Sequence, residues 1–214
     1  MRKGAFIAIE GIEGSGKSTL AASIADSLSN SGMNTLLTKE PGGTELGVEL
    51  RKILLDSKHQ LSFETETLLF LADRAHHLSS LVIPSMESGL NVVCDRYFFS
   101  TLAYQGYARG LDLDVLRKLV SFAHGETIPN LILIVDLPVE VALKRAQERR
   151  GDDSGSWNRF EEEQLTFHKK VRDGFLDLAK RYPTISVILN GELDRATLLE
   201  SALAVIQSRK ERWS

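Results

Sequence analysis

The chain holds a single cysteine, Cys94, which excludes an internal disulfide and any zinc site built on cysteines. No apolar run approaches the roughly 18 residues that a membrane-spanning helix needs. Its opening residues run straight into a strand-like segment without a long apolar stretch and cleavage site, so no secretory leader is expected. Charge of one sign is not in excess either: 26 Lys and Arg face 29 Asp and Glu, a formal net charge of −3. That balance gives no nucleic-acid or membrane surface, and any anion must be held locally by a few placed Arg and Lys residues. Repeats, low-complexity tracts and interdomain linkers are also missing. What remains, 214 residues with 43% hydrophobic and 26% charged side chains, is the composition of one globular domain over residues 1–214. A reducing cytoplasm is its expected setting.

Apolar runs with strand character recur at Ala5–Ile9, Thr35–Thr38, Asn91–Cys94, Leu131–Val135 and Ile185–Leu189. Helical patterns separate them, over Lys17–Ser29, Gly47–Leu55, Phe63–Ser88, Leu113–Ala123, Val139–Arg150, Arg159–Arg181 and Leu193–Lys210. The alternation predicts an α/β fold, a five-stranded parallel sheet flanked by helices in three layers. Asp112 and Asp194 stand where helix caps belong, and Pro84 is expected to kink or break the long third helix.

The first strand leads into Gly11-Ile12-Glu13-Gly14-Ser15-Gly16-Lys17-Ser18-Thr19, which has the P-loop spacing. Glycines let successive N–H groups turn toward phosphate oxygens, where a Cβ would obstruct. Lys17 adds a point charge toward the β- and γ-phosphates, and Ser18 offers a hydroxyl to Mg²⁺. Chance yields this pattern in roughly 1% of chains of this length, and a strand before with a helix after is the context it requires. The nonamer predicts a nucleoside triphosphate site.

An acid at a strand end should accompany such a loop to hold the hydrated metal, and Asp95 and Asp136 both qualify. Asp136 ends the longer apolar run, but could simply cap the helix that follows. Asp95 is followed by Arg96, whose guanidinium could grip a second phosphate bidentately, or form a structural ion pair. Phe70 and Arg74 lie four apart on one helix face, suited to a planar heterocycle that stacks on the ring and accepts from the guanidinium. Taken alone, they more often are a core residue and a solvated charge. The loop Thr38-Lys39-Glu40-Pro41-Gly42-Gly43-Thr44 follows the second strand, and Arg51 follows it in turn. Arg145, Arg149 and Arg150 make a cationic helix end, which the helix dipole favours without any function. Next comes a polar, glycine-containing segment, and a phosphoryl-transfer site must exclude water, so residues 149–160 are expected to form a mobile lid. His76 and His77, adjacent on a helix, point about 100° apart and cannot share one metal ion by themselves.

Together these segments resemble thymidylate kinase. The resemblance is carried by Ile9 to Thr19, by Lys39-Glu40-Pro41-Gly42-Gly43-Thr44, by Asp95-Arg96-Tyr97 with Ser100-Thr101-Leu102-Ala103-Tyr104-Gln105-Gly106, and by Asn158-Arg159-Phe160-Glu161. It implies transfer of the ATP γ-phosphoryl to dTMP with Mg²⁺, in a homodimer joined through a helical face, to which Leu68–Leu71 and Leu78–Ile83 could contribute. By that resemblance Phe70 stacks on thymine, Arg74 donates to its O4, Thr101 reads N3, and Tyr104 lies beside the 2′ carbon. Arg96 bridges the dTMP phosphate and the transferred group, Asp95 lies near the metal through water, and Arg51 helps hold the dTMP phosphate. Glu13 contacts the 3′-hydroxyl, Arg145 lies over adenine, and Pro41, Ser100 and Gln105 fall among the dTMP-binding residues. Some relatives carry an arginine directly after the P-loop acid. Here that residue is Gly14, so a lid arginine, Arg150 or Arg149, is expected to supply the charge. Trp157-Asn158 replaces a more usual acidic residue before Arg159. The alternatives are a kinase for another nucleoside monophosphate or deoxynucleoside, and a P-loop ATPase switch, which would turn over ATP without an acceptor.

Overall fold

In the computed structural model the described residues are 3–56, 58–150, 160, 163–210 and 213, with the side chains of Arg149 and Arg150 excepted. Five parallel strands, β1 (Phe6–Glu10), β2 (Thr35–Lys39), β3 (Asn91–Asp95), β4 (Leu131–Asp136) and β5 (Ser186–Asn190), form one sheet in the order β2-β3-β1-β4-β5. This is the predicted fold. Each strand runs one residue past its apolar stretch, because the ladder continues through the polar terminal residue; Lys39 and Ile9 both pair with Asp95, and Glu10 with Ile134. Three acids, an amide and a lysine thus share the carboxyl edge of the sheet. The chain leaves β1 toward β2 and β3 and later crosses to β4, so a crevice opens beside β1 at that edge.

Successive side chains of a strand point to opposite faces, which divides the core in two. Ile7, Ile9, Val93 and Leu133 meet Leu20 and Ile24 of α1 (Lys17–Asn30) and Ile206 of a C-terminal helix (Arg195–Lys210). Phe6, Ala8, Val92, Ile132 and Ile134 meet the larger layer. That layer holds α2 (Glu45–Leu55), α3 (Phe63–His77), α4 (Ile83–Glu87), α5 (Phe98–Thr101), α6 (Leu113–His124), α7 (Val139–Arg150) and α8 (Leu165–Arg181); the C-terminal helix is α9. Asp112 caps α6 through the N–H groups of Asp114 and Val115, and Asp194 caps α9 through Ala196 and Thr197.

The structure departs from the predicted helices at three places. The long third helix is interrupted before Pro84, by a π-helical turn over Leu78–Val82, since the proline ring crowds the carbonyl four residues earlier. The helix predicted from Arg159 begins at Leu165. Phe98–Ala108 is helical, α5 running into a second π turn over Leu102–Ala108. It is buried along most of its length and lacks the polar face that betrays a surface helix. Among the described residues, no helix is long and apolar enough to cross a membrane.

Candidate active site

The P-loop curls between Glu10 and α1, with Gly14 at φ 75°. A Cβ on Gly14 would run into the carbonyl of Ala142 in α7, so neither an arginine nor any other side chain fits there without moving that helix. Lys17 is buried, and its ammonium donates to the Ile12 carbonyl at 3.4 Å. Burial, followed by the charge of Arg96, pushes its pKa down to about 8 against the pull of Asp95, Glu13 and Glu10. The first turn of α1 contains no acidic residue, which leaves its positive dipole end open to an anion.

Of the two candidate metal acids, Asp136 is taken: Arg172 of α8 grips both its oxygens, at 2.7 and 2.9 Å. Asp95 faces the P-loop. Its Oδ2 accepts a short hydrogen bond from the Ser18 hydroxyl, while its Oδ1 is buried with no hydrogen-bond partner. Orphaned carboxylate oxygen beside a hydroxyl is the donor set of a hard divalent cation.

Arg96 is, among the described residues, the non-glycine side chain with positive φ, at 77°. Such strain survives only where the surroundings hold it. Here they do. Nη1 donates to the Gly11 carbonyl at 3.1 Å and Ser100 Oγ at 3.0 Å; Nη2 donates to Glu13 Oε1 at 2.7 Å and the Tyr104 hydroxyl at 3.3 Å. Tyr104 in turn donates to Glu13 Oε2. Burial works to raise Glu13, but Arg96, Lys17 and this hydroxyl together hold it below the ordinary carboxylate value.

Beneath this cluster lies Glu10, fully buried at the end of β1, with no role assigned from sequence. It accepts from the backbone N–H groups of Tyr97 and Ser100 at 2.9 and 3.1 Å and from Ser100 Oγ at 2.6 Å. Desolvation raises its pKa to about 7 despite those bonds and Arg96. The same strand-end position that drew attention to Asp95 and Asp136 could have identified it.

A second wall is built on Glu40. Its Oε2 takes Arg74 Nε at 2.8 Å and its Oε1 pairs with His77 Nδ1 at 2.9 Å; His77 Nε2 bonds to Thr38 Oγ1 at 2.7 Å. Arg74 Nη1 donates to Thr101 Oγ1 at 2.9 Å, and its guanidinium lies over the Tyr97 ring. Phe70 stands at the cavity face of α3, with Phe160 tilted against it at 5.9 Å. Gln105 donates to Glu66, which also pairs with Arg109.

These walls enclose a cavity of about 310 Å³. It brings together Glu13, Gly14, Lys17, Ser18, Pro41, Arg51, Phe70, Asp95, Arg96, Ser100, Tyr104 and Gln105. Arg51 is tied by Nη1 to the Pro41 carbonyl at 3.0 Å. Arg74 and Thr101 form the layer behind. Arg145 stands apart, donating to the Gly191 carbonyl at 2.7 Å. The side chains of Arg149 and Arg150, and lid residues 151–159, lie outside the described residues.

A family model described as thymidylate kinase matches residues 9–199. A thymidylate kinase of Carboxydothermus hydrogenoformans is 47% identical over 178 residues, 83% of this chain and 85% of that protein. One from Citrifermentans bemidjiense is 41% identical over 98% of this chain and 92% of its own length. The crystal structure of thymidylate kinase from Ehrlichia chaffeensis superposes with a TM-score of 0.77 at 32% identity, covering 96% of this chain and 99% of that one.

The raised Glu10 binds a proton in the folded state that the unfolded chain has released. Its contribution to stability is therefore complete below the ordinary value of 4.5 and is lost as pH rises to about 7. Glu10→Gln should flatten the fall in unfolding free energy across that window, by on the order of 3 kcal/mol, in urea titrations at successive pH. A smaller slope of the same sign should persist from Asp73, which desolvation and Glu40 raise to about 6.

Proposed function

The chain belongs to the thymidylate kinase family, and from that premise we propose how this cavity transfers the γ-phosphoryl group of ATP to dTMP, giving dTDP and ADP. The triphosphate lies in the P-loop, along the backbone of Gly11, Ile12, Glu13, Gly14, Ser15, Gly16, Lys17, Ser18 and Thr19. Lys17 and the open end of α1 meet its charge. Arg145 borders adenine. ATP is used with a divalent metal, which we assign as Mg²⁺ that Ser18 and Asp95 would hold. When bound it offsets charge on the β- and γ-phosphates.

The observation that carries the reading is Arg96. Its strained backbone and four hydrogen bonds fix a guanidinium between the P-loop and the second half of the cavity. A dTMP phosphate placed there, with Arg51 on its far side, would face the γ-phosphate. No strong base is required, because a phosphate oxygen is already an adequate nucleophile at neutral pH. The barrier is then one of alignment and like-charge repulsion.

The base half follows the same logic. Phe70 supplies a stacking face, and Arg74 and Thr101 hydrogen-bonding groups behind it, with Pro41, Ser100 and Gln105 completing the pocket. Glu40 holds Arg74 in place before a base arrives. A guanidinium suits thymine O4 but not the amino group of cytosine. Glu13 can accept from a sugar hydroxyl, and Tyr104 crowds the 2′ position. Because Gly14 has no room for a side chain, charge on the transferring group comes from the lid arginines Arg149 or Arg150, within the lid segment of residues 149–160.

A homodimer is part of the same reading. Leu71, Leu78 and Val82 fill the monomer core. Leu68 is 57% exposed, and Val115, Leu119 and Phe122 present an apolar stripe at i, i+4 and i+7 along α6, with Phe122 90% exposed. A cytoplasmic setting is supported by the single, unpaired, buried cysteine.

Three outcomes are expected. Mg-ATP should phosphorylate dTMP in preference to dCMP and UMP, by up to ~10⁴-fold against dCMP; equal turnover of all three, or ATP hydrolysis indifferent to acceptor, would remove the reading. Arg150→Ala or Arg149→Ala should lower kcat by on the order of 10³-fold with little change in KM for dTMP, and an unaltered kcat in both and in the double variant would take the lid out of catalysis. Phe122→Glu should convert a dimer into a monomer in sedimentation equilibrium.

A further inference from the structure

His168, in the first turn of α8, is fully buried, and neither of its ring nitrogens has a hydrogen-bond partner. Buried polar groups are nearly always paired, so a doubly orphaned imidazole calls for a partner. The P-loop acid stands close by: His168 Nδ1 lies 3.9 Å from Glu13 Oε2, just beyond bonding distance. The ring is fixed edge-on to Phe167.

Glu13 is at present fully engaged, Oε1 with Arg96 and Oε2 with Tyr104. Arg96 is also the group that the proposed dTMP phosphate would claim. A guanidinium drawn onto phosphate loosens its hold on Oε1, which leaves Lys17 as the cation beside a largely buried carboxylate and frees that carboxylate to turn its Oε2 toward a further donor. The geometry points to His168 as that donor. It is a positioning residue that hydrogen-bonds Glu13 through Nδ1–H when substrate takes Arg96, and keeps the carboxylate aimed at the sugar 3′-hydroxyl. The handover links the P-loop to the helix that follows the lid. It rests on the dTMP reading above and adds to it a residue outside the cavity.

The test compares dTMP with thymidine, which lacks the phosphate that claims Arg96, in wild type, His168→Phe and His168→Gln. In His168→Phe, kcat/KM for dTMP should fall roughly tenfold to a hundredfold, through KM more than kcat, while the Kd for thymidine in titration calorimetry changes less than about twofold. His168→Gln, whose amide can still donate, should recover most of the loss. Equal losses on both ligands, or none, would overturn the proposal and mark His168 as packing only. A wild type inactive on dTMP would instead defeat the parent reading. In ¹⁵N-labelled wild-type protein, added dTMP should bring the imidazole into the Nδ1–H tautomer with a hydrogen-bonded shift. A spectrum unchanged at saturating dTMP would overturn the proposal without any variant.

Discussion

Everything in this cavity depends on one guanidinium being held still among carboxylates out of water. Arg96 is bonded to a backbone carbonyl, two hydroxyls and an acid, on a backbone that would not choose its conformation unaided. Its pKa is driven up and that of Lys17 down, although both are cations within the same cluster. Burial, with Arg96 beside it, lowers Lys17 even though Asp95, Glu13 and Glu10 stand close, so a polyphosphate brought to Lys17 would favour the charge that desolvation opposes.

Glu10 shows how the scaffold serves that arrangement. A carboxylate at the end of the central strand takes the two N–H groups that begin the Phe98–Ala108 segment, so strand and helix are locked together beside Arg96. That segment carries Ser100, Thr101, Tyr104 and Gln105, and its π turn sets Tyr104 against Glu13. π turns are frequent at functional sites because they re-aim a side chain without ending the helix. On the opposite wall, Glu40 ties Arg74 and His77 to the loop after β2. A base therefore meets donors whose ordering has already been completed by folding.

How much of this could be read from the linear chain varies with the range of the interaction. The P-loop, the five strands and the caps at Asp112 and Asp194 are local patterns, and the structure contains them with shifts of a residue or two. Choosing between Asp95 and Asp136 was not local. Both end apolar runs, and what separates them is Arg172, 36 positions after Asp136, which takes both oxygens of Asp136, while Asp95 keeps one oxygen without a partner. The helix at Phe98–Ala108 leaves no local signal, because it is buried on nearly every side and carries no amphipathic period. His168 could not have been singled out at all, since only the approach of α8 to the P-loop brings it near Glu13.

The sequence by itself determined the phosphate-binding loop, the parallel sheet and the order of the parts, because glycine spacing and apolar periodicity act over a few residues. Tertiary structure alone decided which acid stays open, which arginine sits at the centre, and that Gly14 abuts Ala142 with no room for a side chain. Those outcomes are set by charge pairing and steric exclusion between segments far apart in the chain, and by the withdrawal of water that makes such pairing strong.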